Sequence, residues 1–360
     1  MVRNKKKSVL DNQKELKSIN PEFKELEPKS LDSGNLENKN SELENSEDEN
    51  SKPEELESED LKIQEPEISK KIIRRPLVLI LADGWGIASL SEANALYLAD
   101  MAEAKKIISH YPSTILRSSD EPLSLRYATL GLGRELKELS EIQETDLSLG
   151  QILAQHEKKQ LYLAESEKFS LLSSYFNYPA YYFDLPKFSE EIVVSSPTED
   201  YQKNPAMSTT EIVKIALEKI KEGDYDFIAI SLANIDEVAK SGDLSALREA
   251  IETVDGALQK ISEAVLLKEG ALLISAVAGW AEQFTDLRTN LISKEYSSNP
   301  VPFLLVAKEY GGQNIGWEDA PDGDLSLLQP LGSLSDVAPT ILHLLGIKKP
   351  EAMSGKSLVE

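Results

Sequence analysis

The chain has 360 residues, a hydrophobic fraction of 41% and a formal net charge of -23, so it can bury a sizeable core in one or more domains. The acidity works against nucleic acid or an anionic membrane as a partner, because like charge repels before contact forms, and no apolar run approaches the length of a membrane span. The absence of cysteine excludes disulfides, thiolate metal sites and a cysteine nucleophile, and there are only three histidines, His110, His156 and His343.

Residues 1–70 are rich in Glu, Asn, Ser, Lys and Asp, with 19 acidic and 12 basic side chains and no sustained apolar period. Such a composition predicts a disordered acidic tail, either a docking tether or a solvated spacer. It carries -7 of the charge and leaves -16 on residues 71–360. The basic start MVRNKKKSVL is not followed by a continuous apolar segment, so no secretory signal is expected and the cytoplasm is the expected compartment.

The run from Leu77 to Asp83 reads as a buried strand ending on a carboxylate, with Gly84 turning the chain. In an open α/β sheet ligands bind beyond the carboxyl ends of the strands, so Asp83 stands either as a ligand or as a cap of the following turn. Helical spacing covers Ser91 to Ile108 and ends before Pro112, and Ser113 to Leu116 reads as a strand. Gly131 and Gly133 in SSDEPLSLRYATLGLGREL could cradle a phosphate or serve close packing.

A helix is expected over Leu147 to His156, then LYLAESEKF and a β-rich SLLSSYF. Residues 187–208 read as a loop, and Thr209 to Glu222 as an amphipathic helix capped by Ser208 or Thr209. DYDFIAISLAN is a second apolar strand, leading to Asn234, Asp236 and Glu237. Leu244 to Leu267 is a long helix, GALLISAV and PVPFLLVA are further strands, and SDVAPTILHLLGI is a helix capped by Ser335 or Asp336. In that helix His343 is expected in a satisfied structural role. Strands alternating with helices predict an α/β fold with a mostly parallel central sheet flanked by helices.

Several strings in order, PLVLILADGWG, AESEKF with SSYFN, YDFIAISLANID, SNPVPF and SDVAPTILHLLGIKKPEAMSGKSL, resemble cofactor-independent phosphoglycerate mutase, a family of the alkaline phosphatase superfamily. The resemblance covers most of residues 75–359. It implies a two-metal phosphoryl-transfer site with manganese-type ions and a serine nucleophile. It also implies remnant metal ligands at Asp83 and Asp236. The family's N-P-D-M-V-G-H-T-G motif reads NIDEVAKSG, so Lys240 takes a histidine position. T-A-D-H-G-N-A-E reads SAVAGWAE, so Val277 and Ala278 replace an Asp and a His that no methyl group can imitate. Tyr296 takes the histidine position of H-T-T-N-P-V-P-F.

The family's nucleophile motif, N-S-E-V-G-H, falls near PLSLRY. Alignment back from GLGR puts Leu123 in the nucleophile slot, with Ser124 one position away as a displaced candidate. The inserted arginine-rich substrate domain has no counterpart in the roughly thirty residues between Arg134 and Ala164. Lys168 matches a family lysine at the phosphoryl site, and Arg134 the end of the glycine segment, so Lys168, Lys240 and Arg134 are the expected phosphate-binding cations.

With most ligands replaced, the expectation is a degenerate mutase-like protein in a binding or scaffolding role through a protein partner, with no cofactor. Two alternatives stay open. One is a divergent mutase or phosphatase of glycolysis using Mn²⁺ or Mg²⁺. The other is a phosphometabolite sensor using Lys168, Lys240 and the glycine segment. In either degenerate case two nearby carboxylates without a metal repel each other, so Lys240 is expected between Asp83 and Asp236.

Overall fold

The computed structural model describes residues 76–143, 145–177, 186–196, 200–286, 288–289 and 291–359. The acidic tail at residues 1–70 lies outside the described residues, which belong to the unit Lys71–Glu360. The elements run β1 (Leu77–Ala82), α1 (Ala95–Leu98), α2 (Ala102–His110), β2 (Ser113–Arg117), α3 (Leu123–Leu132), α4 (Leu149–Gln155), β3 (Gln160–Glu165), α5 (Ser166–Phe176), β4 (Ser189–Val194) and α6 (Thr209–Glu222). They continue with β5 (Phe227–Leu232), α7 (Asn234–Ala239), α8 (Leu244–Leu267), β6 (Ala271–Ser275), the short β7 (Thr285–Asp286) and β8 (Leu291–Ile292), β9 (Val301–Ala307), β10 (Gly332–Ser333) and α9 (Val337–Leu344).

Eight strands form one sheet in the order β10-β2-β9-β6-β1-β5-β3-β4, and β7 pairs with β8 separately. Strand β9 is antiparallel to β2 and to β6, while the other pairs in the large sheet are parallel. Every residue of β1, β5, β6 and β9 is buried, as strands covered by helices on both faces must be. In register, Leu77 lies beside Phe227 and Ala271, so the carboxyl ends of β1, β5 and β6 finish level. Helix α8 turns Leu247, Ile251, Val254, Leu258, Ile261 and Val265 inward, a stripe of three- and four-residue steps.

Four expectations are corrected. SLLSSYF is the second half of helix α5, because Leu172 and Phe176 repeat at helical spacing and pack into the core, with Phe169 partly buried behind them. Residues 187–208 contain β4, an edge strand parallel to β3. The stretch Ser91–Ile108 holds two helices, since Ala99 is extended where α1 ends. Asn94 caps α1, and the Asp255 carboxylate, reaching across from α8, accepts from the amides of Glu103 and Ala104 at the start of α2.

The glycine pair takes the packing side of its two open readings, and His343 is the fourth correction. Gly131 lies within α3, and Gly133 ends that helix in the left-handed region at φ +60. A Cβ at Gly133 would come within 2.9 Å of Met353 Sδ. The glycines therefore serve helix termination and close packing. In α9, His343 is exposed, so no buried structural role falls to it; His110 and His156 are exposed as well.

Candidate functional site at the strand ends

Four parallel strand ends meet around two buried carboxylates. Asp83 follows β1, and Gly84 at φ +93 turns the chain so sharply that a Cβ there would lie 2.7 Å from the Asp236 amide nitrogen. The Gly84 amide donates to Ala278 O at 2.8 Å, and the Asp236 amide donates to Asp83 O at 3.2 Å. Backbone bonds thus tie the ends of β1, β5 and β6 together. The Asp83 carboxylate accepts from the Val277 amide at 2.9 Å on Oδ1 and from the Tyr127 hydroxyl at 2.5 Å on Oδ2.

Asp236 stands in the first turn of α7, fully buried. Its Oδ2 accepts from the Lys168 ammonium, which α5 presents from the end of β3, and from the Tyr296 hydroxyl at 2.6 Å. Lys168 also lies 3.3 Å from Glu237 and donates to the Tyr296 hydroxyl at 3.3 Å. Burial alone would lower the Lys168 ammonium. Asp236, Tyr296, Asp83 and Glu237 outweigh it and hold the group well above the ordinary lysine value, so it is a cation. Burial, with Asp236 beside it, pushes the Tyr296 hydroxyl up, and burial with Asp83 does the same for Tyr127, so both are neutral donors. Trp280 packs edge-on against the Tyr296 ring at 4.9 Å between centroids.

Glu165 and Glu282 border this centre. Glu165 ends β3 and accepts from the Ser208 amide at 2.7 Å, and burial pushes its carboxyl up to about 7. Glu282 accepts from Ser297 and Asn299 side chains, and burial raises it too.

A family model described as the metalloenzyme superfamily matches residues 75–349. The chain belongs to the metalloenzyme superfamily. Within it, the chain is 36% identical over 213 residues to a protein named 2,3-bisphosphoglycerate-independent phosphoglycerate mutase from Clostridioides difficile, covering 59% of this chain and 39% of that one. It is 37% identical over 217 residues to the protein of that name from Desulforudis audaxviator, covering 60% and 39%. The chain thus spans about two fifths of the length of these relatives, 39% in each case. By fold it is similar to a Pyrococcus horikoshii protein, with a TM-score of 0.50 and 14% identity over 78% of this chain and 99% of the other. It is also similar to a 2-O GAG sulfatase, with a TM-score of 0.51 and 11% identity over 79% and 73%. These likenesses fit the mostly parallel, alkaline phosphatase-like sheet.

Against a metalloenzyme superfamily centre, the residues present do not fit a pair of divalent ions. No group of three or more His, Cys, Asp or Glu side chains among the described residues could hold a metal. Val277 and Ala278 are fully buried and offer no side-chain donor atom. Both Asp83 oxygens and Asp236 Oδ2 already accept protein hydrogens, which leaves the buried Asp236 Oδ1 as the one oxygen of this pair without a donor. One carboxylate oxygen cannot complete a divalent shell.

The expected site residues separate accordingly. Asp83, Asp236, Lys168 and Tyr296 come together. Lys240 is not the cation between the carboxylates. Its side chain is 43% exposed and pairs with Glu237 at 2.6 Å, while Lys168, entering from β3, takes the inner position. Arg134 turns away to Asp146 at 2.7 Å and Glu141 O at 2.9 Å, holding the loop before α4. Ser124 is half-buried in the first turn of α3, and its hydroxyl has no hydrogen-bond partner among the described residues.

Two contributors escaped the sequence reading, Tyr127 and Arg126. The register that puts Leu123 in the nucleophile slot also puts Tyr127 at the histidine of N-S-E-V-G-H and Arg126 at its glycine. A large polar pair in place of Gly-His was the available signal.

Proposed function

We propose that this metalloenzyme superfamily chain has the phosphatase-like half of a phosphoglycerate mutase, has lost metal-dependent phosphoryl transfer, and acts as a binding or scaffolding protein. The observation that carries the reading is the satisfaction of Asp236 by the Lys168 ammonium and the Tyr296 hydroxyl, beside Asp83 satisfied by Tyr127 and Val277. Lysine supplies the positive charge that two buried carboxylates require. It has no vacant coordination position, so it cannot bind a substrate oxygen as a Lewis acid or lower the pKa of an attacking hydroxyl. At the nucleophile slot Leu123 has no nucleophilic atom. The described residues of the segment from Glu135 to Leu163 hold only α4, a short turn at Leu139–Glu141 and most of β3, which supports the loss of the inserted substrate domain.

The test is a calorimetric titration of the full chain with Mn²⁺ alongside a phosphoglycerate mutase assay in the same metal. Neither heat nor turnover is expected. Saturable Mn²⁺ binding with turnover that falls in Asp83→Ala or Asp236→Ala would overturn the reading in favour of a divergent, metal-dependent mutase or phosphatase.

A further inference from the structure

A cavity of about 350 Å³ lies between the end of β2, helix α3 and the β10 turn. Its lining includes Arg117, Ser118, Ser119, Arg126, Thr129 and Ser333. Arg126 is 3% exposed. Its guanidinium donates to Glu121 O at 2.7 Å, Ser118 Oγ at 3.3 Å and Ser297 O at 3.0 Å, all of them neutral oxygens. Arg117, at the end of β2, is exposed at the cavity.

Among the described residues neither arginine has a carboxylate within ion-pair distance. The two acidic side chains in the lining do not supply one. Glu135 is engaged by the Ser333 hydroxyl at 2.5 Å and the Ser335 hydroxyl at 3.2 Å, and Glu121 meets Arg126 through its backbone carbonyl.

A buried charge without a counter-ion is costly. Asp120, Asp83 and Glu121 act on Arg126 only through space, and in contact its charge meets neutral oxygens alone. The cavity beside Arg126 is lined by the Ser119 and Thr129 hydroxyls, which can donate to an anion, and Arg117 can close on it from the solvent side. We propose that this cavity binds a small oxyanion, with Arg126 and Arg117 as its charge partners and the hydroxyls of Ser119 and Thr129 as further donors, the Ser118 hydroxyl being committed to Val277 O. The guanidinium fork of Arg117 matches a phosphate or carboxylate edge, and Arg126 adds Nη2, its one nitrogen not already donating, so a phosphate monoester or a small carboxylate shares the required chemistry. The proposal deepens the binding reading above and rests on it only in taking the anion to be held and not transferred. It also moves the anion site away from Lys168, Lys240 and the glycine segment.

The experiment is calorimetric titration of the full chain with inorganic phosphate and, separately, with acetate, in chloride buffer of constant ionic strength containing a chelator. Saturable phosphate binding that acetate does not displace identifies a tetrahedral oxyanion, and saturable acetate binding identifies a carboxylate. Either supports the site if the exposed variant Arg117→Gln weakens binding about tenfold and Arg126→Lys, which keeps charge but loses the Nη2 donor, also weakens it. No saturable binding of either anion, or equal affinity in both variants, would overturn the proposal. Because a chelator is present throughout, failure here leaves the metal question untouched, and Mn²⁺-dependent turnover in the separate assay would sink the parent reading alone.

Discussion

Lys168 is buried against two carboxylates, and its removal would leave Asp236, already pushed up to about 6 chiefly by burial, buried without its cation. Loss of one partner of such a pair costs ~3 to 5 kcal/mol, whereas removal of both charges together is far less damaging. Lys168→Met should therefore destabilise the chain by that amount in urea unfolding, and Lys168→Met with Asp236→Asn should recover most of it. An unchanged midpoint in the single variant would remove the lysine from its stabilising role. Glu165 gives a second residue-scale expectation. Its folded carboxyl sits near 7 against an ordinary 4.5, chiefly through burial, with Glu167 and Glu237 adding repulsion and the Ser208 amide and Ser196 hydroxyl opposing it. The folded chain holds this proton in a pH range where the unfolded chain has released it. The contribution to stability is complete below 4.5 and is lost as pH rises through 7, a span of order 3 kcal/mol. Glu165→Gln should flatten the loss of stability between those two pH values, and a variant with the native slope would show that another group controls it.

At the scale of elements, the site exists because β1, β5 and β6 end level and a glycine lets the chain turn between them. Gly84 at φ +93 has Asp236 N and Ile235 Cγ2 where a side chain would go, at 2.7 Å and 2.8 Å. Gly84→Ala combines an unfavourable backbone with a clash against backbone atoms, so a loss of more than ~2 kcal/mol is expected in thermal or urea unfolding. A loss under half that would mean that the β1 turn relaxes freely. Much of this frame was legible in advance. Buried strands announce themselves as apolar runs, and α8 matches its expected span because its inward stripe is long and its N-cap Asp243 is explicit. Shorter signals failed for physical reasons. SLLSSYF has strand-like residue types, and only the partners of Leu172 and Phe176 decide for helix. Strand β4, with no buried position and no two-residue alternation, is held by pairing with β3, which no local pattern encodes. Lys168 and Lys240 could not be ranked from sequence either. Both follow a strand end, and only the entry of α5 from β3 puts the first inside and leaves the second with Glu237.

For the whole molecule the substitutions act as a set. At the positions that the resemblance would give to ligands and nucleophile, Val277, Ala278 and Leu123 offer no donor atom, and Lys168, Tyr127 and Tyr296 close Asp83 and Asp236 with hydrogens. Restoration of any one ligand would leave the others missing and the ammonium still in place. Stability should therefore be independent of divalent ions. A protein that binds a metal at a hundred times its dissociation constant gains about 2.7 kcal/mol from it, and chelation forfeits that amount. For a body of this size the loss would appear as a fall in Tm of roughly 5 to 10 °C. The expected result for this chain is superimposable melting curves in EDTA and in millimolar Mn²⁺. A Tm that falls with EDTA and returns on addition of Mn²⁺ would show that a metal displaces Lys168 from Asp236. The same titration in Lys168→Met would then show whether the ammonium is what keeps the ion out, since that variant should gain metal-dependent stability if Asp83 and Asp236 can still share a cation.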